Sequence, residues 1–166
     1  RYTHDQSSAA SDVYKGQGEM VLETACRLGA KWIEEGVPHA KIAVNLSAKQ
    51  LLRNDMVVVI KRVLKRSGFP PERLVVELTE SLLFDSLEKS ADTLEALRNM
   101  GIEIAIDDFG TGYSTFKLLK QLPVDILKID QMFIQDLLEN QVDAAITRAI
   151  IDIAHSLDMR VVAEGV

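Results

Sequence analysis

The stretch IAIDDFGTGYS, Ile104 to Ser114, ends an apolar run on two adjacent aspartates and passes into a loop containing Gly110 and Gly112. IEIAID, Ile102 to Asp107, reads as a buried strand, because a short isoleucine-rich run beside turn residues suits that environment. An ionised carboxylate is not buried at such a point unless something pairs with it. Side chains alternate along a strand, so neighbouring aspartates start out pointing in different directions. At the strand terminus, where the backbone turns, both can still reach one mouth, and the glycines let the following loop turn tightly beside it.

Four further runs read as strands: KIAVNLS (Lys41–Ser47), LVVEL (Leu74–Leu78), ILKID (Ile126–Asp130) and RVVAEG (Arg160–Gly165). Helical patterns separate them. Val21, Ala25, Leu28 and Trp32 recur at helical spacing from Gly18 onward, and Gly36-Val37-Pro38 stops that helix. Ser47 to Gln50 forms a capping-box pattern. A break at Asn54-Asp55 starts a helix through Val63 and Leu64, closed by Gly68 and Pro70-Pro71. Asp85 to Glu88 caps a helix carrying Leu87, Ala91, Leu94 and Leu97 and ending at Gly101. Tyr113 to Gln121 is a short helix broken by Pro123. Met132 to Leu157 is helical, with an interruption at Asn140. Strands alternating with helices build a parallel sheet with helices outside, either a (β/α)8 barrel or an open doubly wound sheet.

The polar residues discriminate between these. Each strand carries one near its C-terminal end: Asn45, Glu77, Asp107 with Asp108, Lys128, and Glu164. In a parallel barrel those ends share one face, where active sites sit; in an open sheet only two strands flank the crevice. A polar group on every strand favours an α/β fold that is part of a TIM-like (β/α)8 barrel, with about five βα units. Convergence has an electrostatic cost, since two unit charges about 4 Å apart repel by roughly 4 kcal/mol at an effective dielectric of about 20. Lys128 cannot balance four carboxylates. Divalent metal can, and oxygen ligands suit Mg2+ or Mn2+. His4, His39 and His155 lie outside the cluster, which argues against zinc. Individually Asn45 and Asp108 could cap turns, Glu77 and Glu164 could be surface acids, and Lys128 could snorkel; recurrence on five strands favours the metal site.

The bulk properties exclude several classes. The chain has 166 residues, 47% hydrophobic and 27% charged, the values of a globular domain with a real core. No apolar run reaches the roughly 18 residues of a membrane helix. A formal net charge of -6 argues against binding nucleic-acid polymers. Lys61, Arg62, Lys65 and Arg66 lie on the outer side of a helix and read as a solvated face. Cys26 is the single cysteine, so no internal disulfide forms and a reducing compartment fits. Asp108-Phe109-Gly110 occurs in protein kinases too, but without a G-x-G-x-x-G loop or an H-R-D stretch it carries no kinase reading. Residues 1–17 have no apolar period and are expected to be a disordered, non-native tail, with the domain over 18–166.

IAVNLSAKQL, VVELTES, IAIDDFGTGYSTFKLLKQLPVDILKID and VVAEGV, four motifs in order, closely resemble the EAL domain family of bacterial cyclic di-GMP phosphodiesterases. The resemblance runs from about Gly18 to Val166. It implies a barrel with one strand reversed, a two-metal Mg2+ or Mn2+ site, and hydrolysis of cyclic di-GMP to linear pGpG in the bacterial cytoplasm. Carried onto this sequence, it places Asn45, Glu77 and Asp107 on a first metal, with Asp107 bridging to a second that Asp108 also holds. Lys128 orients the attacking water, and Glu164 assists at the second metal or helps position that water. Glu80 anchors the loop after Asp108, and that loop, Phe109 to Ser114, is linked to homodimer contacts and metal affinity. Fused sensory or diguanylate cyclase domains are common in such proteins. No substrate-binding residue is assigned.

The chain departs from the family at both ends. The family's Glu-Ala-Leu stretch on the first barrel strand, whose glutamate ligates the first metal, is expected well upstream of Gly18 and has no counterpart there; a nearby substrate-contacting arginine and a C-terminal glutamine are missing too. The 166-residue chain alone is therefore expected to bind metal weakly and not to turn over substrate. Two other readings compete with the hydrolase: a degenerate domain that only senses cyclic di-GMP, and another metal-dependent barrel enzyme such as a lyase acting through an enolate. The intact visible ligands and the motif order favour the hydrolase.

Overall fold

The computed structural model describes residues 5–80, 87–110 and 119–166. Its strands are β1 (Ile42–Asn45), β2 (Leu74–Thr79), β3 (Glu103–Phe109), β4 (Ile126–Ile129) and β5 (Arg160–Ala163). They form one sheet in the order β1-β2-β3-β4-β5, with every neighbouring pair parallel. Strictly sequential order is incompatible with an open doubly wound sheet, whose order reverses at a switch point. Right-handed crossovers then place the connecting helices on one face and leave the other as the inner wall of a barrel. The helices are α1 (Asp5–Glu34), α2 (Ala48–Leu51), α3 (Met56–Ser67), α4 (Leu87–Arg98) and α5 (Gln141–Ser156). None among the described residues is long and apolar enough to cross a membrane.

Strand alternation sorts the side chains by face. Leu74, Val76, Leu78, Ile104, Ile106, Leu127 and Ile129 join Leu22, Ile60, Val63, Leu94, Leu97 and Ile150 in the main core between sheet and helices. Each such side chain contributes about 1.5–3 kcal/mol by leaving water. Val75, Ala105 and Ile126 form a separate small cluster on the inner face. On that face, one step toward the strand N-termini, Glu103 accepts from Lys41 at 2.6 Å and pairs with Arg160 at 2.7 Å. Partial burial opposes its charge, yet the two cations hold the Glu103 carboxyl below its ordinary pKa. The inner wall is thus ionic at the bottom, apolar in the middle and, as shown below, ionic again at the top.

Several elements differ from expectation. α1 turns Leu22, Cys26, Gly29 and Ile33 inward, while Val21, Leu28 and Trp32 are exposed and Ala25 is only half-buried. Both sets have helical spacing, and Gly29 hides the true one because it does not count as apolar. A Cβ on Gly29 would lie 2.6 Å from Phe69 Cε2 and 2.7 Å from Ile42 Cγ1, so the helix approaches the sheet at a point where no side chain fits. α1 also starts at Asp5, inside the stretch expected to be disordered. Residues 5–17 contain no proline, and lack of an apolar period denies a helix a core-facing side rather than a helical backbone. The basic face of α3 is not wholly solvated, for Arg62 and Arg66 pair with Glu19 and Glu23 of α1. The run from Met132 opens with a 3-10 turn, Gln131–Phe133, and α5 begins only after Asn140, whose side chain accepts from Val142 N at 2.9 Å. The Ser47–Gln50 cap forms as expected, Gln50 Oε1 accepting from Ser47 N at 2.9 Å. The Asp85 cap and most of the Tyr113–Gln121 helix lie outside the described residues.

Candidate active site

The two aspartates sit in a bulge. β3 pairs with β4 through Ala105–Ile126 and Ile106–Leu127, then resumes at Phe109–Ile129. Asp107 and Asp108 together therefore stand opposite Lys128 alone, the count that defines a bulge. Asp108 takes φ 54°, a left-handed conformation that aspartate tolerates better than most side chains. The extra residue resets the alternation, so Ile106 and Phe109 both face the helices, 0% and 3% exposed. Both carboxylates are freed for the inner wall. A turn at the strand end was the expected device; an inserted residue within the strand is the observed one.

Lys128 is the hub. Its Nζ lies 2.7 Å from Asp107 Oδ1, 2.6 Å from Glu164 Oε1 and 3.1 Å from Glu77 Oε1. Burial disfavours the ammonium, but hydrogen bonds to these three acids push its pKa above that of an ordinary lysine. Carboxylate oxygens of Asp107, Asp108 and Glu164 lie within 4.8 Å of one another. Burial first, then the charges of Asp107, Asp130 and Glu164 and a hydrogen bond with Asp130, raise the Asp108 pKa. A divalent cation relieves that crowding, and these donors are hard oxygens, as Mg2+ or Mn2+ requires. Asp107, Asp108 and Glu164 are thus fitted to hold one.

The remaining expected residues take distinct places. Asn45 ends β1 as the register partner of Glu77 and is exposed. Glu80, 2% exposed, accepts from Gly110 N at 2.8 Å, which ties down the start of the loop after the aspartates. Most of the Phe109–Ser114 loop lies outside the described residues. The letters Glu-Ala-Leu do occur in the chain, at Glu95-Ala96-Leu97, but inside α4, where Leu97 is buried in the core and Glu95 is exposed. They are helix positions and do not supply the strand-borne glutamate. Sequence reasoning missed Asp130, which joins Asp108 and also caps the 3-10 turn, accepting from Met132 N at 2.7 Å. Its signal was its place two residues beyond Lys128, the spacing that keeps a side chain on the same face of a strand.

The EAL domain family profile matches residues 10–166. The bifunctional diguanylate cyclase/cyclic di-GMP phosphodiesterase MucR of Pseudomonas aeruginosa is 44% identical over 149 residues, covering 90% of this chain and 22% of its own length. A solved MucR phosphodiesterase in complex with c-di-GMP superposes with TM-score 0.88 at 40% identity, covering 97% of this chain and 65% of that one. The manganese/cy-diGMP complex of Klebsiella pneumoniae BlrP1 superposes with TM-score 0.82 at 30% identity, covering 95% of this chain and 39% of that one. The chain spans about a fifth of the length of the curated relatives it matches.

Proposed function

Because this chain belongs to the EAL domain family, we propose that the full-length protein hydrolyses cyclic di-GMP to linear pGpG with the help of Mg2+ or Mn2+. The observation that carries the proposal is the meeting of Glu77, Asp107 and Glu164 on Lys128, with Asp108 alongside. The relatives' names and complexes support the same substrate.

In this reading Glu77, Asp107 and Asp108, with Asn45 beside Glu77, hold the ions, and Glu80 steadies the loop that follows. Bound divalent ions supply Lewis acidity, which neutralises an anionic phosphodiester and acidifies water. Lys128, whose ammonium form these acids favour, donates hydrogen bonds and orients water or a phosphate oxygen. Glu164, the most exposed of the three acids around Lys128 at 33%, is placed to assist at the ion beside Asp107 and Asp108 and to position the water at the mouth. The Phe109–Ser114 loop as a dimer contact, fused signalling domains and a bacterial cytoplasmic setting belong to the same proposal.

The test is to incubate the full-length protein with cyclic di-GMP and Mg2+ or Mn2+ and to separate the products by chromatography. Formation of pGpG that EDTA stops supports the assignment. Tight binding of cyclic di-GMP without any product overturns it in favour of a receptor.

A further inference from the structure

The 3-10 turn Gln131–Phe133 touches both acid-bearing ends of the site. Phe133 lies against Gly110, two residues past Asp108: a Cβ there would stand 2.7 Å from the Phe133 ring carbon Cε2. Gln131 lies against Gly165, directly after Glu164: a Cβ there would stand 2.8 Å from Gln131 Cβ. Both glycines have positive φ, 102° and 73°, so each turn is held in a form that other residues strain to adopt.

The turn is itself fixed from three sides. Asp130 caps it, Phe133 is 7% exposed, and the Thr147 hydroxyl of α5, 6% exposed, donates to the Phe133 carbonyl at 3.4 Å. Gly110 is gripped between Phe133 on one side and Glu80 on the other. The segment carrying Asp107 and Asp108 and the segment carrying Glu164 thus rest on one three-residue wedge that starts three residues after Lys128.

We propose that this turn is a shared spacer, with Gln131 and Phe133 as positioning residues that set how far Asp108 stands from Glu164. The proposal rests on the reading above that these acids hold a divalent cation. Close-packed groups of this kind have discrete arrangements rather than a continuous range, and loss of a group that orients metal ligands commonly weakens metal binding by 10–100-fold. A Phe133 that served the core alone would affect melting and leave metal affinity unchanged.

The experiment measures Mn2+ binding to the EDTA-stripped full-length protein by electron paramagnetic resonance, well below the melting temperature of each variant. Gly165→Ala and Phe133→Leu are expected to weaken binding by about tenfold or more, while Leu138→Ala, at a 99% exposed side chain, leaves it unchanged. Asp107→Asn serves as the control for the site itself. If Asp107→Asn loses Mn2+ while Gly165→Ala and Phe133→Leu bind as tightly as wild type, the spacer is refuted and the site stands. If Asp107→Asn binds as tightly as wild type, the site reading fails and the spacer with it. Should Phe133→Leu not fold, Gly165→Ala at its exposed position decides alone.

Discussion

Lys128 Nζ stands 2.7 Å from Asp107 Oδ1, directly across from the bulge that presents the aspartate pair. The lysine is the cation that keeps Glu77, Asp107 and Glu164 together when no metal is bound. Lys128→Met removes it and leaves three acids facing one another. The expected loss is about 3–5 kcal/mol in EDTA, the scale for stripping one partner from a largely buried ion cluster. Added Mn2+ should recover part of it. Melting curves with and without metal check this, and an equal loss in both conditions would contradict it. Turnover in the full-length protein should fall by at least about 100-fold.

Asp107→Asn should cost more in turnover, about 1,000-fold, because it removes charge from an acid proposed to hold the ions. Stability should change little, since the amide oxygen still accepts from Lys128. Near-normal rates in a pGpG assay would show that the metal assignment is wrong.

Asp108→Asn should act in the opposite sense on stability. Folding raises the pKa of Asp108, first through burial and then through the neighbouring acids, so ionisation costs more in the folded than in the unfolded state and its charge at neutral pH weighs against the fold. Asparagine removes the charge and tolerates φ 54° equally well. A higher melting temperature in EDTA is expected together with weaker metal binding; a thermal melt and a Mn2+ titration check the two, and an unchanged or lower melting temperature would contradict the first.

Glu103 gives a pH signature. Its pKa is lowered in the folded state, so its contribution is present above the unfolded value of about 4.3 and is lost as pH falls through the folded value. Glu103→Gln should therefore cost about 1–2 kcal/mol at pH 7. The gap to wild type should shrink below about pH 4. Denaturant unfolding at both pH values measures it; a constant gap would mean that the Lys41 and Arg160 pairs do not matter.

Gly29→Ala tests the packing of α1. Helix propensity alone favours alanine by about 1 kcal/mol. The contacts at 2.6 Å and 2.7 Å to Phe69 and Ile42 oppose it with an overpacking cost of about 1–3 kcal/mol. Net destabilisation in a melting experiment is expected; a higher melting temperature would show that the helix can shift away.

Much of this was legible because one physical signal repeated. Five apolar runs, each with a polar residue near its C-terminal end, pointed to the parallel sheet and to a shared mouth, where Glu77, Asp107 and Glu164 do meet, on Lys128; the Ser47–Gln50 cap was readable from four letters. What escaped depended on geometry that letters do not encode. The bulge at Asp107–Asp108 is a matter of register between two strands far apart in sequence. Gly29 marks a close approach by having no side chain, which shifted the inner face of α1 by one residue. Asp130 looked like the end of a strand, yet it belongs to the acid cluster as well as to a turn. The Glu-Ala-Leu letters at Glu95–Leu97 run the other way: the same three residues mean one thing on a strand end and another within a helix.

The inserted residue in β3 has an evolutionary corollary. An in-frame loss of the Asp108 codon would restore a regular ladder, with Ile106 and Phe109 still seated among the helices. The barrel wall would survive while one anion vanished from its rim. A domain built on this plan therefore stands a single three-nucleotide deletion away from a folded protein stripped of part of its acid cluster.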